Sequence, residues 1–256
     1  MTSNHFLEVY KNLLSTGQGE ESFVATYESF LRELAAQGDL ADRLHPDARR
    51  VYATFFTGCQ RRYLGIKEKE AYEQMMAVVV DGPTASVDAN ITKGFGRHTY
   101  DRVSDLADLI DMDTCHNVVA VGCGAFPGTL YWLHDHYHEA RYTGLDIDTR
   151  CLEMANTLTK AMGINDIDFK LANGGDYDYN GVDFVFVANQ VVAKKAVLEQ
   201  VRRSDSVNRV VVREPTRRGE LLSEAVRHDL PRGFTVVNEG ADNSVFLSYD
   251  LFLRRV

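Results

Sequence analysis

Proline is scarce, five in 256 residues, and tryptophan occurs once. With a hydrophobic content of 45%, so little proline excludes collagen-like and proline-rich low-complexity architectures and leaves an ordinary globular composition. Cysteine is scarce too, and Cys59, Cys115, Cys123 and Cys151 stand far apart. Without close pairs they build neither a zinc ribbon nor a dithiol redox motif, and they read as reduced thiols. No apolar run approaches the roughly 18 residues that cross a bilayer, and residues 1–11 lack a basic leader followed by an apolar stretch. The expectation is a soluble, cytoplasmic chain with no membrane partner. Positive charge is short as well: 28 basic against 37 acidic residues leave −9, a field that repels nucleic acid.

What is present changes character once along the chain. Residues 1–110 read as a helical cap: Phe23, Tyr27, Phe30, Leu31 and Leu34 recur at three- and four-residue steps, which places them on one helix face. A second helical stretch is expected over residues 47–80, broken near Gly58 and Gly65, followed by a loop over 86–98 and a short helix over 100–110. From residue 111 to 256, runs rich in Val and Ile alternate with helix-length segments, the pattern of a parallel sheet with crossover helices. Strands are expected at 117–121, 141–146, 167–171, 183–187 and 209–213. The connection 172–182 carries Gly174, Gly175 and Gly181 and leaves little room for a helix. Segments 234–238 and 245–252, separated by a polar turn, read as a closing antiparallel hairpin, which makes seven strands.

The strongest local signal is the run from Val118 to Thr129, a buried strand that enters a glycine-bearing turn and then a helix. Gly122 and Gly124 let backbone pass close beneath a ligand, and Pro127 suits a helix start, where its missing N–H has no intrahelical partner. Asp146 follows Gly122 by 24 residues, at the end of the next strand in Gly144-Leu145-Asp146-Ile147-Asp148, where a carboxylate can accept both hydroxyls of a ribose. Pro127 stands where a third glycine would complete the dinucleotide pattern, so a nicotinamide cofactor is disfavoured.

On these residues the sequence resembles the class I S-adenosylmethionine-dependent methyltransferase superfamily. Through Val121-Gly122-Cys123-Gly124-Ala125-Phe126-Pro127-Gly128-Thr129 it is nearest to the nicotianamine synthase and opine metallophore synthase family, the proline being the discriminating residue. The resemblance implies an α/β, Rossmann-like class I methyltransferase fold with an N-terminal helical cap. Its co-substrate would be S-adenosylmethionine, held by residues 111–256. Position by position it implies Gly122, Gly124 and Phe126 around the methionine portion and Asp146 on the ribose, with Cys123, Pro127 and Ile147 also in the co-substrate site. Asn173 would lie near the adenine and Asn189 where sulfonium and substrate meet.

Three carbons on a sulfonium are electrophilic, and geometry selects among them. Attack at the methionine γ-carbon transfers a 3-amino-3-carboxypropyl group to a small amine or amino acid, or cyclises the co-substrate to azetidine-2-carboxylate, and releases methylthioadenosine. Attack at the methyl gives a small-molecule N- or O-methyltransferase. An inert nucleoside-binding module is the remaining alternative. The region in which the metallophore family carries a tyrosine-containing lid here holds His98, Tyr100 and Asp101, the candidate catalytic groups for deprotonating an amine. Arg213 is the candidate for gripping a substrate carboxylate. His134 and His138 share a helical face, yet no acidic helper accompanies them and no metal is expected. The expected partner is a small molecule, and a homodimer is compatible with the sequence.

Overall fold

The structure, a computed structural model, describes residues 3–15, 19–36, 46–82, 87–91, 94–104, 110–240 and 247–256. Among these no helix is long and apolar enough to cross a membrane.

The second half of the chain is a seven-stranded sheet, β1 (Asn117–Val121), β2 (Arg141–Asp146), β3 (Ile167–Leu171), β4 (Phe184–Val187), β5 (Arg209–Pro215), β6 (Phe234–Glu239) and β7 (Ser248–Arg255), in the order β3-β2-β1-β4-β5-β7-β6. The first five strands are parallel, and β7 pairs antiparallel with both β5 and β6. Because side chains alternate across a strand, the valine-rich runs supply two cores at once. Val118, Ala120, Phe184, Phe186, Val211 and Phe252 face one side, while Val119, Val121, Val185, Val187, Val210 and Val212 face the other. The crossover between β3 and β4 is helix-free, as its glycines suggest. The turn between β6 and β7 lies outside the described residues for positions 241–246.

Among the described residues, five α-helices precede the sheet: α1 (Ser3–Leu14), α2 (Glu20–Ala36), α3 (Pro46–Asp81), α4 (Val87–Asn90) and α5 (Gly94–Asp101). Phe23, Tyr27, Phe30 and Leu34 are buried, and Phe30 stacks on Phe56 of α3 at 4.4 Å between ring centroids. Two expectations fail here. The helix expected to break near Gly58 and Gly65 runs unbroken for 36 residues. Both glycines sit on its exposed side with nothing near a would-be Cβ, so each costs about 1 kcal/mol relative to Ala. That cost is outweighed because α3 is clamped twice: Phe56 and Cys59 pack into the core of the first helices, and Ala71, Met75 and Val79 pack onto one sheet face.

The segment expected to be a loop over 86–98 contains α4 and the start of α5. Asp135 accepts the backbone N–H groups of Val87 at 3.2 Å and Asp88 at 2.9 Å, capping α4 from a distant part of the chain. Of the helix expected over 100–110, Tyr100, Asp101, Ser104 and Ile110 are helical, a turn stands at 102–103, and residues 105–109 lie outside the described residues.

Helices α6 (Gly128–His136), α7 (Thr149–Ala161) and α8 (Lys194–Val201) connect the parallel strands. The carboxyl ends of β1, β4 and β5 thus open toward α3 and α5, where an open α/β sheet receives its ligands.

Candidate active site

Between those strand ends and the helices above them lies a cavity of about 110 Å³. Its floor is the turn after β1. Gly122 and Gly124 have φ of 73° and 69°, a left-handed conformation that favours glycine. The N–H groups of Gly122 and Cys123 both donate to Leu145 O, at 2.8 and 3.0 Å, which pulls the turn against the end of β2. A Cβ on Gly122 would meet Val191 at 2.7 Å, and one on Gly124 would collide with the Glu68 carboxylate. The turn is therefore packed so closely against Val191 and Glu68 that only glycine fits at these two positions. Pro127 directly precedes α6 and its carbonyl accepts the Tyr131 N–H at 3.1 Å, so the proline starts the helix as its chemistry suggests.

Asp146 is oriented by two backbone donors: Gly124 N–H at 2.9 Å to Oδ2 and Asp148 N–H at 3.0 Å to Oδ1. A carboxylate offers about four lone-pair sites, so two remain for other donors. Ile147 beside it is 74% exposed, an apolar side chain waiting for a face to cover it. Asn173 is exposed at the end of β3, with its Oδ1 accepting the Gly175 N–H at 3.0 Å.

Above the cradle, α3 contributes Gln60, Leu64 and Glu68, spaced by four residues and so stacked on one helix face. Glu68 Oε2 accepts the Ala125 N–H at 2.9 Å. Burial pushes its pKa up, and the charge of Asp146 adds to this against the pull of the Ala125 N–H, so that it reaches about 7. Consecutive N–H groups of the turn, Gly124 and Ala125, thus each serve a carboxylate, one from the sheet and one from the helix above it. Burial also pushes the Cys123 thiol well up, reinforced by the same two carboxylates, which makes Cys123 a lining group and not a nucleophile.

The far wall is formed by Phe186, Ala188, Asn189, Gln190, Arg213 and Ser248. Asn189 Oδ1 accepts the Ser223 hydroxyl at 2.7 Å. Lys194, fully buried, donates to Arg213 O and Glu224 O, both at 2.8 Å, and lies 3.7 Å from Glu214 Oε1. This tie joins the start of the helix at Lys194 to the end of β5 and to the segment at Glu224. A second, larger cleft of about 590 Å³ lies between α2, α3 and α5, and Phe95 lines both.

Of the residues singled out from sequence, Gly122, Cys123, Phe126, Pro127, Asn189 and Arg213 line the cavity, and Gly124 and Asp146 meet at its edge. Ile147 and Asn173 sit farther out, at the ends of β2 and β3. The three expected catalytic groups are placed elsewhere. Tyr100 is 1% exposed and its hydroxyl donates to Asp135 at 2.7 Å, so it anchors α5 to α6. His98 faces the second cleft. Asp101 is exposed and paired with Arg97. The carboxylate that does face the cradle, Glu68, lies in Lys67-Glu68-Lys69-Glu70, a charge run that reads as solvated surface. Its one sequence signal was the four-residue spacing with Gln60 and Leu64. Arg102, which also lines the cavity, carried none.

No family model matches the chain, and no curated protein matches it. Among solved structures it is similar to a glutamate-to-glutamine mutant of MtNAS in complex with S-adenosylmethionine, with a TM-score of 0.72 and 16% identity over 100% of this chain and 99% of that one. It is similar also to MtNAS in complex with MTA and tNA, with a TM-score of 0.74 and 16% identity over the whole of both chains. The chain shares the Rossmann-like methyltransferase fold of MtNAS, and the likeness extends over the whole chain.

Proposed function

We propose that this protein is an S-adenosylmethionine-dependent transferase that works at the methionine γ-carbon, passing a 3-amino-3-carboxypropyl group to the amine of a small molecule and releasing methylthioadenosine. The observation that carries this reading is Glu68, a half-buried carboxylate that accepts the Ala125 N–H, its pKa pushed up to about 7, set over a glycine turn whose other edge is an oriented acid.

The residues fit the co-substrate. The left-handed turn at Gly122 and Gly124 leaves bare backbone beside the cavity, and Asp146 keeps lone pairs for the two ribose hydroxyls. Ile147 is an exposed apolar surface next to the ribose site, suited to the adenine face, with Asn173 at the adjacent strand end. Phe126 and Phe95 give the cavity aromatic lining near a sulfonium.

In the step itself the lone pair of a neutral amine forms a bond to the γ-carbon as the carbon–sulfur bond breaks, and the electron pair of that bond stays on sulfur. The leaving group is then neutral methylthioadenosine. The new ammonium loses a proton, and Glu68 is the acceptor: a carboxylate with a pKa near 7 is half in its basic form at neutral pH, which suits general-base work. A narrow cavity under α3 and α5 keeps water from competing for the electrophile. The MtNAS complexes, one with S-adenosylmethionine and one with MTA, favour the γ-carbon over the methyl, because methylthioadenosine remains when that carbon has left sulfur.

The test is the identity of the nucleoside released when purified protein is incubated with S-adenosylmethionine and candidate amines. Methylthioadenosine is expected. S-adenosylhomocysteine would make the protein a methyltransferase, and unchanged co-substrate would leave a binding module.

A further inference from the structure

Helices α2 and α3 meet through aromatic rings, with one polar bond among them. Tyr27 on α2 is fully buried, its ring centroid 5.8, 5.7 and 5.3 Å from those of Phe23, Phe30 and Tyr63. A phenylalanine has the same outline, and a hydroxyl withdrawn from water costs free energy unless it is matched. The match is Gln60 on α3, whose Oε1 accepts the Tyr27 hydroxyl at 2.8 Å. Gln60 is itself 2% exposed and lines the cavity, while no described residue of α2 does.

This bond decides which way the amide faces. Among the described residues the Tyr27 hydroxyl has no other acceptor, so the amide must turn its oxygen to the cap. In the reverse orientation Nε2 would donate to the tyrosine, and the hydroxyl proton would be stranded in an apolar core. The two N–H donors of Gln60 are therefore left for the cavity, and Nε2 makes no hydrogen bond within the described residues. Of the amides on the cavity wall, Asn189 spends its oxygen on the Ser223 hydroxyl, and Gln190 has both amide atoms buried without partners. Donors left unmatched in a closed space cost free energy, and a ligand oxygen recovers it.

Glu68 stands eight residues further along the same face of α3, a rise of about 12 Å. Thr57 and Arg61, to either side of Gln60, share a surface cleft with Asn189 and Gln190, so Gln60 lies over the end of β4 while Glu68 lies over the turn after β1. We propose that Gln60 orients a reactant by donating to one of its oxygens, and that Tyr27 is the positioning residue that aims the amide. This rests on the functional reading above. The oxygen belongs either to the carboxylate of the 3-amino-3-carboxypropyl group in transit or to the acceptor. A reactant pinned there and met by Glu68 two turns away is fixed at both ends, which keeps it in line for attack. The cap thereby takes part in the reaction through α2 without placing a residue of α2 in the cavity.

The experiment is a double-mutant cycle in the full chain, with Gln60→Met, Tyr27→Phe and the two together. Calorimetry gives the affinity for S-adenosylmethionine, and methylthioadenosine release against a mixture of the common amino acids and short diamines gives the half-saturating acceptor concentration. Gln60→Met should weaken one of the two by about tenfold or more, the loss expected when hydrogen bonds to a ligand are removed. A change in S-adenosylmethionine affinity assigns the oxygen to the transferred group, and a change in half-saturation alone assigns it to the acceptor. Tyr27→Phe should weaken the same quantity by about threefold when Gln60 is present and by less than about 1.5-fold in the Gln60→Met background, since only the amide conveys its effect. The double variant buries no unmatched hydroxyl and so guards against a folding defect in Gln60→Met. A change of less than about twofold in both quantities for Gln60→Met would overturn the proposal, and so would an equal effect of Tyr27→Phe in both backgrounds, which would make Tyr27 a packing residue. Wild-type protein that takes up no S-adenosylmethionine would instead overturn the functional reading, and the inference with it.

Discussion

Beneath the cavity the sheet offers backbone, and above it the helices offer side chains. The floor is made of N–H groups from Gly122 to Ala125 and one strand-end acid, with positions fixed by the register of β1 against β2. The roof is made of Gln60, Leu64 and Glu68 from one face of α3, with Arg102 beyond α5. The one carboxylate of this floor is already engaged by the Gly124 and Asp148 N–H groups, which suits it to anchoring a ligand. The roof has the proton acceptor but no cradle of its own. In the proposed reaction, binding falls to the floor and proton transfer to the roof, so that each can be damaged separately.

The largest expected effect comes from the roof. Glu68→Gln should lower the rate of methylthioadenosine release by about 10²- to 10⁴-fold, the usual worth of a general base, while calorimetric affinity for S-adenosylmethionine stays within about threefold. The wild-type rate should climb as pH rises through about 7, where Glu68 gives up its proton, and the variant should lack that limb. Stability should run the other way. The folded pKa lies above the ordinary 4.5, so the native state binds this proton more tightly, and that stabilisation is complete below pH 4.5 and lost as pH rises to about 7. Urea titrations from pH 5 to 8 should show the loss, up to about 3 kcal/mol, in the wild type and not in Glu68→Gln.

Next in size is a break behind the floor. Lys194→Met leaves Glu214 buried without its cation and unties Arg213 O from Glu224 O. A loss of about 3–5 kcal/mol in denaturant unfolding is expected, the cost of leaving a buried charge uncompensated. The smallest effect should come from Tyr100→Phe, which removes one hydrogen bond to Asp135 and touches neither half of the cavity. About 0.5–1.5 kcal/mol of stability should be lost with turnover unchanged. A large fall in turnover would return Tyr100 to the catalytic role that the sequence suggested.

The same division decides what could be read from sequence. A backbone floor must be built with glycine where φ is positive and where no Cβ fits, so Gly122 and Gly124 stood out, and so did the strand-end position of Asp146. Parallel strands buried on both faces leave dense Val and Ile runs, which is why the sheet and its closing hairpin were legible. A side-chain roof leaves no such mark. Glu68 differs from Lys67, Lys69 and Glu70 only in the direction it points, and that direction is set by the packing of α3 against two cores far apart in sequence. The continuity of α3 through Gly58 and Gly65, and the capping of α4 by Asp135, are tertiary effects of the same kind. Local propensity is overridden in each case by contacts that the local sequence does not contain.

The most direct test of the central claim, that an adenosine-bearing sulfonium rests on the turn after β1 with its ribose on Asp146, is a calorimetric titration of S-adenosylmethionine into the wild type and Asp146→Ala. Uptake by the wild type is expected, with affinity weakened by about 10- to 150-fold in the variant, as the loss of a charged hydrogen bond worth about 1.5–3 kcal/mol requires. No uptake by the wild type, or the same dissociation constant for both proteins, would contradict it.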